Sequence, residues 1–241
     1  MGVPPDPGMC NAGWEDDWSR WGWLSFSLGS ATAAMGVMPA PIPWSDLEGP
    51  CETSILWPEA ADALKPHQAH VIVTIFAELD PMALSALLTQ VTASVLATTP
   101  AALGVYWGSA TLIIPKRLFI DFAVEVLPKA PALQVWVDFR VFPDGDRSSG
   151  GFTHGLAALG HMEFEAQKAP EPPPALWDRL YALTAYVTEK GPVINDGDTV
   201  GEDAQEKTRV VYSDSVYGHE GWVMRLEYER ASQARPWWKL W

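Results

Sequence analysis

The sequence predicts an α+β protein in which a mainly antiparallel, mixed β-sheet carries about three to four helices packed on one side. Helices and strands alternate irregularly along the chain, and several connections have hairpin length. Hydrophobic residues make up 48% of the 241 residues, which is sufficient for a sizeable core. Two fused α/β lobes, covering residues 18–145 and 146–230, are the alternative arrangement.

In the first half of the chain, apolar alternation or continuous apolar runs predict strands at residues 23–28, 31–38, 55–57, 70–76 and 105–110. The run at 70–76 is β-branched and almost wholly apolar, which is typical of a buried central strand. The proline-rich residues 39–44 predict an extended segment, and residues 58–64 predict a short helix. Asp80 and Pro81 are residue types preferred at a helix N-cap and first position, so a longer helix begins there.

In the second half, Pro115 begins another helix, and the three prolines at 172–174 precede a third, which ends at Gly191 and Pro192. Residues 133–142 alternate in polarity, and this pattern predicts a strand with one core face. Further strands are predicted at residues 152–166, 208–212 and 222–228. The β-α-β pattern over residues 70–110 predicts one parallel pair of strands.

The net charge of −14 restricts the partners of this protein. Phosphate groups repel an acidic surface, so neither nucleic acid nor an anionic membrane is an expected partner. A basic protein is the natural electrostatic complement. The two cysteines form neither a disulfide framework nor a thiolate metal site. The first residues lack the features of a signal peptide, so we expect a cytoplasmic protein, whose oligomeric state the sequence leaves open.

Tryptophan is abundant, with 13 residues, and it is concentrated near both ends of the chain. We expect a flexible acidic tail at residues 1–17, a single domain at 18–230 and a tryptophan-rich tail at 231–241. Tryptophan is enriched at the energetic centres of protein interfaces. Either the ends pack back onto the body, or they bind a partner. The candidate partner-binding residues are Asp16, Asp17, Trp18, Trp21, Trp237 and Trp238.

A second candidate site lies within the predicted strand at 152–166. His161, Glu163 and Glu165 alternate, so on one strand they would share a face. Together with His154, they have the side chains needed for acid–base chemistry or for binding a divalent metal. The alternative is the solvated face of a half-buried strand. We assign no metal site and no cofactor from the sequence.

The order of several segments in the chain resembles the bacterial family DUF4261, a domain of unknown function. In the C-terminal half these segments are residues 151–165 (GFTHGLAALGHMEFE), 195–201 (NDGDTVG) and 222–228 (WVMRLEY). Further segments at residues 38–48, 54–57, 67–73 and 136–140 extend the resemblance over about residues 20–230. The family brings no catalytic residues. Its frequent association with toxin-immunity genes implies an immunity-like role.

Three functions follow as hypotheses. The first is a non-catalytic binding protein, most concretely an immunity-like protein that neutralises a basic toxin or effector by occluding its active surface. The second is a metal-assisted hydrolase that uses the His161, Glu163 and Glu165 face. The third is an adaptor or chaperone that loads a secreted effector.

Overall fold

The computed structural model describes residues 22–201 and 208–228 of the chain. Its strands are β1 (Trp23–Leu28), β2 (Ala31–Met38), β3 (His70–Phe76), β4 (Gly104–Trp107), β5 (Leu112–Pro115), β6 (Asp138–Pro143), β7 (Ser149–His154), β8 (Phe164–Ala169), β9 (Thr199–Val200), β10 (Thr208–Asp214) and β11 (Trp222–Tyr228). Its α-helices are α1 (Trp44–Glu52), α2 (Ala60–Leu64), α3 (Pro81–Thr98), α4 (Lys116–Asp121), α5 (Leu133–Trp136) and α6 (Pro173–Lys190).

Three sheets organise the described residues, and the predicted α+β class is confirmed. The small sheet is an antiparallel meander in the order β1-β2-β3. The large sheet has the order β6-β7-β8-β11-β10-β9 and is antiparallel except for the pair β8 and β11. Strands β4 and β5 form a separate antiparallel hairpin. The parallel pair therefore joins β8 to β11, and the prediction of a parallel pair within residues 70–110 is wrong.

Helix α3 joins the small sheet to the main core. Asp80 caps it as predicted, because its Oδ1 accepts a hydrogen bond of 3.0 Å from the Ala83 N–H. One side of the helix packs through Leu84, Leu87 and Val91 on the small sheet. The other side contributes Ala93 and Leu96 to the main core. Among the described helices, α3 alone is long and apolar enough to cross a membrane by length and composition.

The main core lies between the large sheet, helix α6 and the β4–β5 hairpin. Leu176 and Leu180 on α6 are fully buried against one face of the sheet, where Phe164 and Ala166 of β8 are also fully buried. The opposite face of the sheet carries Asp138, Phe152, His154 and Glu165 and is covered in part by the chain between β10 and β11. This polar face contains the candidate site.

Four sequence predictions about single elements are wrong, each because of tertiary packing. Strand β3 lies at an edge of the small sheet, not at its centre, because β4 pairs with β5 instead of with β3. Residues 55–57 form a turn, because the Ser54 hydroxyl accepts a hydrogen bond from the Trp57 backbone N–H and donates one to the Ile113 carbonyl. The other two errors concern residues 133–137 and 152–166.

Residues 133–136 form one turn of helix, and the strand begins only at Asp138. The helical turn buries Leu133, Val135 and Trp136 together, whereas a strand would place Trp136 on the face opposite the other two. Residues 152–166 form two antiparallel strands, β7 and β8, with a loop between them, instead of one long kinked strand.

A buried hydrogen bond between two side chains fixes α5 against α3. The Trp136 indole N–H donates to the Thr89 hydroxyl over 2.8 Å, and the same hydroxyl donates to the Ser85 carbonyl. Both Trp136 and Thr89 are essentially inaccessible to solvent. Loss of the hydroxyl would leave the indole N–H buried without an acceptor.

We therefore expect Thr89→Val to lower the free energy of unfolding by about 1–3 kcal/mol, measured by urea denaturation. Thr98→Val, at an exposed position of the same helix, controls for the change in helix propensity. Adding Trp136→Phe to Thr89→Val should cost less than the sum of the two single effects. Strict additivity would show that the two side chains are not coupled.

Candidate functional site

Glu163 is a buried carboxylate that fixes the loop between β7 and β8. One oxygen accepts hydrogen bonds of 2.9 Å from the backbone N–H groups of Gly155 and Ala157. The other accepts a hydrogen bond of 2.7 Å from the Thr153 hydroxyl. Glu163 is the last residue before β8, and its backbone partners lie at the start of the loop. Its carboxylate therefore ties the two ends of the loop together.

The same loop requires glycine at position 155. Its φ angle is +110°, a conformation that residues with a side chain rarely adopt. A Cβ atom there would lie 2.5 Å from the Trp136 carbonyl oxygen and 2.7 Å from the Ala110 Cβ. The approach of Gly155 to α5 therefore leaves no room for a side chain.

Glu165 is fully buried and fixes residues 215–219 of the loop that connects β10 and β11. Its carboxylate accepts a hydrogen bond from the Ser215 hydroxyl and one of 2.9 Å from the Val216 backbone N–H. The His219 Nδ1 atom lies 2.9 Å from the same carboxylate. Because an ionised carboxylate can only accept hydrogen bonds, Nδ1 carries the proton in this contact.

Ser215 extends this network within the loop. Its hydroxyl oxygen accepts hydrogen bonds from the backbone N–H groups of Tyr217 and His219, over 3.1 and 2.8 Å. The Tyr217 hydroxyl donates to the Ala166 carbonyl on β8 over 3.1 Å. Hydrogen bonds to the Glu165 carboxylate and to the Ala166 backbone carbonyl, both on β8, therefore fix the path of this loop.

Two imidazole rings stack at the edge of this network. The rings of His154 and His219 have centroids 5.5 Å apart and an interplanar angle of 25°. In the ladder between β6 and β7, His154 lies opposite Asp138, which forms an ion pair with Arg140. The polar face of the large sheet thus brings together two histidines, two carboxylates and one guanidinium group.

Burial and hydrogen bonding determine the charges in this cluster. Burial alone would raise the pKa of Glu165, but the hydrogen bonds from Ser215, Val216 and His219 outweigh it and lower the pKa below its ordinary value. Burial lowers the pKa of His154, and the nearby Glu163 and Asp138 offset only part of that effect. Burial raises the pKa of Asp138 despite the ion pair with Arg140.

The structure separates the three residues that the sequence placed on one strand face. Strand β8 begins at Phe164, so His161 and Glu163 precede it. His161 lies in the loop, where its backbone N–H donates to the Leu156 carbonyl. Neither glutamate lies on a solvated face, because both are buried. Within residues 22–201 and 208–228, no three His, Cys, Asp or Glu side chains are arranged to hold a metal ion.

Sequence reasoning missed Ser215 and His219, which complete the Glu165 network. They lie 50 and 54 residues after Glu165 and belong to no familiar motif. The alternation of Glu163 and Glu165 was a useful signal, because it identified two carboxylates that the fold uses. The predicted contact residues Asp16, Asp17, Trp18, Trp21, Trp237 and Trp238 lie outside the described residues.

The two ends of the loop between β10 and β11 carry an exposed patch, which we name the loop patch and define as Asp214, Val216, Glu220 and Trp222. The Trp222 side chain is 64% exposed, and Trp222 pairs directly with Asp214 across the hairpin. Val216 is 45% exposed although its N–H is bonded to the buried Glu165. The Glu165 network therefore positions an apolar and acidic surface.

Comparison with known proteins identifies one family over this region. The model of the family described as a domain of unknown function (DUF4261) matches residues 152–227, which confirms the predicted resemblance over that segment. The matched segment includes Glu163, Glu165 and the loop patch. No curated protein and no solved structure matches the chain.

Glu165 makes the stability of the protein depend on pH. Because its pKa is lowered on folding, its contribution is complete above about pH 4.5 and is lost as the pH falls through the folded-state value. At pH 7 we expect Glu165→Gln to lower the free energy of unfolding by about 2–3 kcal/mol, since a buried charged acceptor is lost. The difference from the unmodified protein should shrink below pH 4.5.

Urea denaturation at several pH values measures this difference. Glu227→Gln, an exposed position on β11, is the matched control and should change stability little at any pH. His154 contributes a separate loss of stability below pH 6.5, because burial lowers its pKa and protonation favours the unfolded chain. A stability difference for Glu165→Gln that does not vary with pH would contradict the assignment of an ionised, hydrogen-bonded carboxylate.

Proposed function

We propose that this chain is a non-catalytic, cytoplasmic binding protein, most concretely an immunity-like protein that occludes the active surface of a basic toxin or effector. One observation carries the proposal. The buried carboxylates of the family-matched segment are engaged in hydrogen bonds that hold loops, and one of those loops displays the loop patch at the surface.

Both glutamates serve as internal acceptors. Glu163 accepts three hydrogen bonds and Glu165 is held by three donors, so each carboxylate is occupied on both oxygens. A reacting substrate or a metal ion would have to displace these donors and release the loops that they fix. This arrangement favours a scaffold over the hydrolase hypothesis based on His161, Glu163 and Glu165.

The loop patch has the chemistry of a protein-binding surface. An exposed tryptophan is a typical interface anchor, and the neighbouring Asp214 and Glu220 would attract a cationic partner. The net charge of −14 adds a long-range field that accelerates association with a basic protein. We include Asp16, Asp17, Trp18, Trp21, Trp237 and Trp238 as proposed further contacts.

The adaptor hypothesis uses the same kind of surface and differs in its consequence. An effector bound to an adaptor keeps its activity, whereas an effector bound to an immunity protein is silenced. The activity of the purified complex therefore distinguishes the two hypotheses.

The test begins with purification of the tagged full chain from its native host and identification of a stoichiometric partner. The partner is then produced alone, and its affinity and activity are measured with and without the chain. We expect Trp222→Ala to weaken binding by roughly tenfold or more and Glu220→Lys to slow association. Inhibition of the partner should weaken in parallel with binding.

Val124→Ala is the control, because Val124 is 63% exposed in the π-helical segment Phe122–Val126 that follows α4, outside the loop patch. It should leave binding unchanged. If Trp222→Ala and Glu220→Lys both bind within a factor of two of the unmodified protein, the loop patch is not the interface. If the partner stays fully active in the complex, the immunity-like role is wrong.

A further inference from the structure

Strand β1 lies at the outer edge of the small sheet, and its own sequence has none of the residues that protect edge strands. In the parts of the chain that the structure describes, it pairs only with β2, so its other edge presents unpaired backbone N–H and C=O groups. Its sequence, Trp-Leu-Ser-Phe-Ser-Leu, contains no charged residue and no proline. Natural proteins commonly place such residues on exposed edges to prevent pairing with another chain.

The sequence of this edge is symmetric about Phe26. Residues 24–28 read Leu-Ser-Phe-Ser-Leu in either direction. We propose that β1 pairs with β1 of a second copy of this chain, antiparallel, around a twofold axis at Phe26. In a twofold interface each residue meets its symmetric counterpart, so a palindromic strand satisfies the contact on both sides.

The proposed register places like residues together on each face of the sheet. Phe26 lies opposite Phe26 of the second copy, Leu24 lies opposite Leu28, and Ser25 lies opposite Ser27. Opposed residues of antiparallel strands share a face. One face of the joined edge is therefore wholly apolar, and the other carries serine pairs.

The apolar face is the one on which α3 packs. Leu24, Phe26 and Leu28 pair with Met35, Ala33 and Ala31 of β2, and the two alanines are buried with α3. The three β1 side chains lie beyond that cluster and are 37–42% exposed. In the proposed dimer they form one apolar stripe between the two copies of α3, at the centre of a six-stranded sheet.

Charge explains why this surface suits a second copy in a protein of net charge −14. Two such molecules repel each other, so contact is favoured where charge is missing. Residues 23–38, which include all of β1 and β2, contain no charged side chain. Residues 1–21 of the same chain or a strand of an unrelated protein could also pair with β1, but neither would require the palindromic sequence of residues 24–28.

Disulfide trapping in the full chain tests the register. The parent variant carries Cys10→Ser, and Cys51 is buried. A cysteine introduced by Phe26→Cys meets its counterpart across the axis at a Cα separation of about 4.5–5.5 Å, within disulfide range. A cysteine introduced by Ser25→Cys lies diagonal to its counterpart at about 7–8 Å, which is too far. We expect mild oxidation to cross-link Phe26→Cys but neither Ser25→Cys nor the parent.

Charge pairs test the same register without a covalent bond. Leu24→Lys combined with Leu28→Glu places opposite charges across the axis, whereas Leu24→Lys combined with Leu28→Lys places like charges there. Sedimentation equilibrium should show a dimer dissociation constant that is roughly tenfold or more higher for the second pair. Circular dichroism of both variants serves as the control for folding.

Three results would overturn the proposal. One is an unmodified full chain that sediments as a monomer up to its solubility limit, which is the result expected if residues 1–21 or another protein cover β1. Another is a dimer in which Phe26→Cys cross-links no faster than Ser25→Cys. The last is a dissociation constant that is equal for the two charge pairs.

Discussion

The arrangement of the polar face depends on one interaction, the burial of Glu165 among donors from the loop at residues 215–219. The carboxylate is inaccessible to solvent, so its charge is stable only because Ser215, Val216 and His219 bind it. The same contacts give the loop a fixed path, since a buried ion without its donors would be strongly unfavourable. Glu163 repeats this arrangement two residues earlier in the chain. Together the two side chains fix the loop that precedes β8 and the loop that precedes β11, and these two strands form the parallel pair.

Helix α3 imposes the second constraint, because it must bury apolar residues on two sides. It packs on the small sheet with Leu84 and Val91, and on the main core with Leu96. The buried cluster beneath α3 includes residues of β2 and β3 and none of β1, and Leu24, Phe26 and Leu28 remain exposed. The β1 edge that we assign to a second copy is thus left exposed because α3 divides its apolar residues between the small sheet and the main core. The loop patch and this edge lie on different sheets, and their proposed partners are independent of each other.

The sequence predicted those helices and strands whose formation depends on residues close together in the chain. The helix at Pro81–Thr98 followed from its cap, and the strands at residues 208–212 and 222–228 followed from their apolar patterns. The edge position of β3 could not be predicted, because the choice of β5 as the partner of β4 is a tertiary event. The roles of Glu163 and Glu165 were missed for a similar reason. Their alternation suggested a shared strand face, but their partners include His219, which is distant in sequence and becomes a neighbour only in the folded sheet.

Amide hydrogen exchange of the unmodified chain, followed by NMR at neutral pH, shows whether the buried glutamates fix these loops. We expect slow exchange for the Val216, Gly155 and Ala157 amides, because each donates to a carboxylate. Protection of Val216 is the most telling result, since its side chain is 45% exposed in a loop. The Gly218 amide, in the same loop and without a contact to Glu165, should exchange faster. If Val216, Gly155 and Ala157 exchange as fast as Gly218, the carboxylates of Glu163 and Glu165 do not hold these loops.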